Sequence, residues 1–241
     1  MARKSVAILQ SNYLPWKGYF QIIDESDVFV FYDDVQYTKN DWRNRNIVKS
    51  ANGTVWITVP VLRAGRVGQR ILDAQIDPQT PWARSHRRTI AQTYARAPHV
   101  SAALELLDAI YARPWDRLSD LNQFSIRQIC EAIGIRTEFQ NSTDFPESDD
   151  PTGRLVEICR RLGATEYVMG PTAANYIDLA QFDAVGIECR FLKYDHPEYP
   201  QLHPPFDHHV SIVDLIAHCG LECRPWIGRS LPAVAPLGES E

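Results

Sequence analysis

The stretch Ser5-Val-Ala-Ile-Leu-Gln-Ser-Asn-Tyr-Leu-Pro-Trp-Lys-Gly-Tyr-Phe20, followed by Val28-Phe-Val-Phe-Tyr32, decides how the chain is read. Val6 to Leu9 is a short apolar run that ends on Gln10, the pattern of a buried strand. Gln10 to Gly18 is then a loop dense in hydrogen-bonding and aromatic side chains. Trp16 to Ile23 reads as a short helix, and Val28 to Tyr32 as a second strand, apolar without alternation and hence buried on both faces. A strand that opens into a polar loop and then a helix is where α/β proteins place ligands. The competing reading is an amphipathic hairpin with a packed aromatic core. It leaves more amides and charges than packing alone can satisfy.

The second half of the chain extends this pattern. Ile135 to Phe139, Tyr167 to Met169 and Ile187 to Leu192 read as strands. Between them lie a helix that starts at Pro151 behind Ser148-Asp-Asp150 and a helix over Ile177 to Val185. Strand and helix in alternation imply parallel pairing with right-handed crossovers. In the middle, Val48 to Val61 resembles a hairpin turning at Asn52-Gly53, and Ile71 to Ile76 reads as a further strand. Trp82 to Tyr94, His99 to Tyr111 and Arg117 to Ile133 are helical, and Ser211 caps a last helix to Ala217. The expected fold class is α/β, a mostly parallel Rossmann-like sheet with a helical insertion or cap in the middle of the chain. One domain is expected over 1–225, with the insertion at about 82–133 and a mobile C-terminal tail over 226–241.

At 241 residues and 44% hydrophobic content the chain can bury one sizeable core. A net charge of -5 provides no global basic field for nucleic acid. No run approaches a bilayer's thickness, and Met1 to Ser5 leads into a strand instead of a signal-peptide core. The expectation is a soluble, cytoplasmic protein without a nucleic-acid or membrane partner. Five cysteines, an odd number without a CxxC pair, fit a reducing compartment, with Cys130 and Cys159 as small core hydrophobes.

Three segments carry candidate chemistry. Pro15-Trp16-Lys17-Gly18-Tyr19 resembles in outline a nucleotidyltransferase-type loop that grips a triphosphate, but both histidines of that loop are replaced; Lys17 could still neutralise a phosphate at a helix N-terminus. Asp41-Trp-Arg-Asn-Arg-Asn46 places Arg43 and Arg45 on one face if extended, two guanidinium forks suited to a phosphate or carboxylate, or else to ion pairs with Asp33, Asp34 or Asp41. His196, His203, His208 and His209 crowd one loop, but their spacing matches no zinc signature, and no metal ligand is assigned. GxSxG, P-loop and GxGxxG motifs are absent.

Ala7 to Phe20, Tyr32 to Lys39 with Asp41 to Asn46, Gly170-Pro171 with Tyr176, Tyr199-Pro-Gln201 and Ser211 to Leu215 together resemble the WbqC-like protein family over nearly the whole chain to about residue 220. The resemblance implies a bacterial cytoplasmic protein, of a family often encountered among genes for surface-polysaccharide or specialised-metabolite biosynthesis. The expected function is a small transferase that modifies an amino sugar or related amine with an acyl or aminoacyl group from an activated, phosphate-bearing substrate. The alternatives are a non-catalytic subunit that binds a sugar nucleotide, and adenylyl transfer. Asp33 or Asp34 is the expected general base, and Lys17, Arg43 and Arg45 hold the anion. Gln10 and Asn12 orient polar groups, and Tyr13, Trp16 and Trp42 wall the pocket. Tyr19, Gln36, Lys39, Asn44, Asn46, Gly170, Tyr176, Tyr199 and Gln201 complete the expected binding set. No cofactor is assigned beyond a nucleotide or nucleotide-activated substrate.

Overall fold

The computed structural model describes residues 3–228. Its centre is a five-stranded parallel sheet of β1 (Ser5–Leu9), β2 (Val28–Phe31), β5 (Glu138–Asn141), β6 (Glu166–Met169) and β7 (Glu188–Phe191), in the order β5-β2-β1-β6-β7. Counted within the sheet this is 3-2-1-4-5, the strand order of a Rossmann-like fold, and it reverses between β1 and β6. Val6, Ile8, Val28 and Val30 bury one face against Ile158, Cys159 and Phe182. Ala7, Phe29 and Phe31 bury the other against Phe20, Ile126 and Ile129. Two buried faces account for the unalternating apolar strands.

Helix α1 (Lys17–Asp24) follows β1 directly. Between β2 and β5 are inserted the antiparallel hairpin β3 (Arg45–Ser50) and β4 (Gly53–Thr58) and three helices, α2 (Trp82–Thr93), α3 (Val100–Tyr111) and α4 (Leu118–Ala132). Helix α5 (Pro151–Arg161) starts where Asp150 accepts the Thr152 N–H at 3.1 Å, with Pro151 as its first residue. Helix α6 is short (Leu179–Asp183), and α7 (Ile212–Cys219) is capped by Ser211. Both buried cysteines named above are core: burial pushes the thiols of Cys130 and Cys159 up.

Three local expectations are corrected. Ile71 to Ile76 is not a strand: Ile71–Asp73 is a 3-10 turn whose amides at Ile71 and Leu72 bond the carbonyls of Val35 and Asp33, so this segment docks end-on against the chain leaving β2. The hairpin begins at Arg45, which takes Arg45 and Asn46 out of the expected loop and into a ladder. The helix expected over 177–185 shortens to α6, Leu179–Asp183, because Asp178 accepts the Ala180 N–H and starts the helix there; a separate 3-10 segment, Pro171–Asn175, precedes it. The expected tail lies outside the described residues from 229 onward, while Trp226 and Ile227 pack on the main core. Among the described residues no helix is long and apolar enough to cross a membrane.

Candidate functional site

Strand β1 pairs with β2 over four residues, Val6 to Leu9, and β6 pairs with β7 over four, Glu166 to Met169. β1 pairs with β6 over only two, Ser5↔Glu166 and Val6↔Tyr167. Beyond them the two strands part. Alternation fixes which peptides face the gap: the Leu9 carbonyl accepts from Tyr32 on the β2 side, so the N–H and C=O of Ile8 point towards β6, and neither has a strand partner among the described residues. Such groups need water or a ligand.

Over this gap lies a cavity of about 510 Å³, within the range of small-molecule sites. Ile8, Leu9, Tyr167, Met169 and Gly170 line its floor, Trp16, Tyr19, Tyr32, Trp42, Tyr176 and Tyr194 its walls, and Thr152, Leu155, Ala173 and Ile177 its far side. Two glycines permit close approach. A Cβ on Gly18 would lie 2.3 Å from the Trp16 ring, and one on Gly170 would lie 2.8 Å from the Tyr194 hydroxyl. Trp16 is thereby seated over the first turn of α1, edge-on to Tyr194 (4.9 Å between centroids) and stacked with His209 (5.6 Å, 25°).

The polar end of the cavity is set by one arginine. Arg43 donates to Oε1 of Gln10 at 2.6 Å and to Oδ1 of Asn12 at 3.1 Å. A guanidinium only donates, so both amides must turn their oxygens to it and keep their NH₂ groups for the cavity they line. Neither NH₂ group has a protein partner among the described residues. Asn46 fixes the loop's other end, donating to the carbonyls of Tyr13 (3.1 Å) and Leu14 (2.8 Å), and the Ser211 hydroxyl donates to Leu14 as well. Leu14 sits at φ 41°, a strained left-handed conformation for a leucine that persists because these donors hold it.

The expected residues therefore divide. Gln10, Asn12, Trp16, Tyr19, Trp42, Asn46, Gly170 and Tyr176 line one cavity, with Arg43 behind the amides. The expected catalytic carboxylates do not line it. Asp33 is 3% exposed and accepts from the Ser11 N–H, the Ser119 hydroxyl and Gln123. Asp34 is buried against Arg154 and the Ser142 hydroxyl. Lys17 does not line the cavity either: its Nζ turns to the Pro197 carbonyl (3.2 Å), over the rings of Tyr199 and Phe206, and burial holds its pKa down to about 8. Tyr13 is wholly buried, with its hydroxyl shared between His86 and Tyr111. Asn44 bonds the Val59 carbonyl, Gln36 and Lys39 are exposed in the segment between β2 and the hairpin, and Arg45 stacks on Trp56. Tyr199 and Gln201 belong to a separate buried network with Asp214 and Lys49, so they do not close the cavity.

Sequence reasoning missed Tyr32, Thr152, Tyr194 and His209. Tyr32 closes the quoted strand and was visible there, whereas the others reach the cavity only through tertiary folding. Among the described residues His209 is the one imidazole in the lining, and its Nδ1 lies 3.5 Å from Asp207. His196 instead bonds Gln21 inside the protein, and burial together with the Lys17 charge lowers it to about 4. Among the described residues no group of three His, Cys, Asp or Glu side chains could hold a metal ion.

The model of the WbqC-like protein family matches residues 10–224. The chain is similar to the uncharacterised protein Rv1507c of Mycobacterium tuberculosis, 43% identical over 226 residues that cover 93% of this chain and 97% of that protein. No solved structure matches it.

Proposed function

The chain belongs to the WbqC-like protein family, and from that premise we propose that it is a transferase of surface-glycan or specialised-metabolite assembly. In this reading it moves an acyl or aminoacyl group from an activated, phosphate-bearing donor to the amine of a nucleotide-activated amino sugar or a related amine, so that the new amide bond replaces the donor's acyl bond and the phosphate-bearing remainder of the donor leaves. The observation that carries the reading is the cavity at the strand-order reversal, where aromatic walls meet two amides whose donors are aimed inward by Arg43. Aromatic rings suit the flat or CH-rich faces of a base or a sugar, and side-chain amides suit the carbonyl, hydroxyl and phosphate oxygens between them. The base that takes the amine's proton is His209, with Asp207 behind it, because Asp33 and Asp34 are committed elsewhere.

A second reading is a binding subunit without chemistry. It is favoured by the absence of any carboxylate or lysine from the cavity lining among the described residues. A panel of nucleotide-activated sugars, titrated calorimetrically and followed by melting temperature, separates the two. A specific ligand at a hundredfold its Kd stabilises the fold by about 2.7 kcal/mol. Trp16→Ala should abolish that shift. If no sugar nucleotide raises the melting temperature, both readings fall; if one does and no acyl donor yields product by mass spectrometry, the binding subunit stands.

A further inference from the structure

We propose that the outer face of the β3–β4 hairpin, beside the cavity mouth, is a second subsite that holds the nucleotide end of the second substrate, with a flat base on Trp56 and Trp42 and a phosphate on Arg45. The inference rests on the transferase reading, which requires a donor and an acceptor to meet. The ladder register sets the geometry: Arg45 faces Thr58 and Ile47 faces Trp56, so Arg45 and Trp56 are diagonal neighbours on one face while Asn46 and Ile57 are buried on the other. The Arg45 guanidinium lies 4.0 Å from the centre of the Trp56 ring, and Trp42 packs against Trp56 with centroids 5.5 Å apart. Trp42 also lines the cavity, so the strip and the cavity are continuous through a shared ring.

Two features separate this strip from an ordinary surface. Trp42 and Trp56 are 41% and 46% exposed, two large aromatics side by side where single scattered ones would be unremarkable. Arg45 makes no side-chain hydrogen bond or ion pair among the described residues, and its Nε is buried without a partner. Asp41, the carboxylate four residues before it, is already taken by the Thr38 hydroxyl at 2.6 Å, the Trp42 N–H at 2.7 Å and Arg43 at 3.7 Å. A cation held on an aromatic ring, with its donors unpaired, beside a double aromatic platform suits an anion attached to a flat ring. A neutral sugar would satisfy the platform and leave the guanidinium unpaired. A nucleoside phosphate answers both.

Adenosine monophosphate, adenosine and inorganic phosphate, titrated separately by calorimetry and tryptophan fluorescence, test this. AMP should bind and quench, while adenosine and phosphate alone bind at least about tenfold more weakly. Trp56→Ala and Arg45→Gln should each weaken AMP about tenfold, with unchanged melting temperature and unchanged binding of a sugar nucleotide in the cavity. The proposal is overturned if AMP does not bind, or if it binds equally to both variants. It is likewise overturned if Trp16→Ala removes AMP binding while Trp56→Ala does not, since the nucleotide then belongs in the cavity. Self-association in sedimentation that Trp56→Ala abolishes would make the strip a subunit contact instead. A sugar nucleotide that fails to bind the cavity counts against the functional reading and leaves the AMP result to stand or fall by itself.

Discussion

Two polar regions flank the end of β1, and their charges are used differently. Below the opening loop, Asp33, Asp34 and Arg154 are nearly sealed from solvent, and both carboxylates are engaged by partners from the loop itself, α4, α5 and the turn after β5. Above it, the cavity is lined by neutral amides and aromatics, and Arg43, the cation at that end, bonds those amides instead of reaching inside. A buried charge must be paired, so charged residues at strand ends are drawn into bracing the fold. Orientable neutral groups remain to meet the ligand.

The sharpest way to break this contrast is to remove Arg154. Arg154→Ala leaves Asp34 buried without its cation and should cost about 3–5 kcal/mol of stability, read by urea unfolding, while the folded fraction keeps its ligand affinity. Loss of binding without loss of stability would reverse the roles of the two regions.

Acid should act next, on two buried imidazoles outside both regions. Burial holds His86 and His196 down to about 4, with the Lys17 charge adding to the effect at His196. In the unfolded chain both take up a proton near the ordinary value of about 6.5. The stability they contribute is therefore complete above that value and is lost as pH falls towards 4. Melting temperature against pH should fall across that window, and His86→Gln and His196→Gln should each flatten the slope. An unchanged slope in both variants would show that neither imidazole is held neutral. Lys17 works at the other end: with its pKa held to about 8, stability should rise as pH climbs from there towards the ordinary lysine value.

The smallest effect is expected at the cavity. Arg43→Met frees the Gln10 and Asn12 amides to rotate and should weaken a cavity ligand by about 1–2 kcal/mol, close to tenfold, with little change in melting temperature. Adding Asn12→Ala should then cost less than it does alone, because the orientation it supplied is already lost. Full additivity in calorimetry would show that the arginine does not act through the amides.

Much of the fold was legible because its signals are local. The unalternating Val28-Phe-Val-Phe31, the Asp150-Pro151 start of α5 and the Ser211 cap each act within a few residues. The neighbourhood of Gln10, Asn12, Trp16 and Trp42 was legible for the same reason, since one loop and one short segment carry them. The roles of the charges were not. Asp34 is answered by an arginine 120 residues away, Asp33 by a serine 86 away, and Lys17 turns to a carbonyl 180 away. No periodicity encodes such pairings, so the partners of these conspicuous side chains could not be read from the sequence.

The two residue pairs that join β1 to β6 also have a mechanical meaning. β5-β2-β1 is laced along its strands as one leaf and β6-β7 as another, and the leaves share a spine only at their amino-terminal ends. Whatever sits between Ile8 and Gly170 occupies the place of the missing rungs. Occupancy would then clasp the leaves together, and slower amide exchange along β6 and β7, far from any contact with the ligand's outer parts, would register that the clasp is shut.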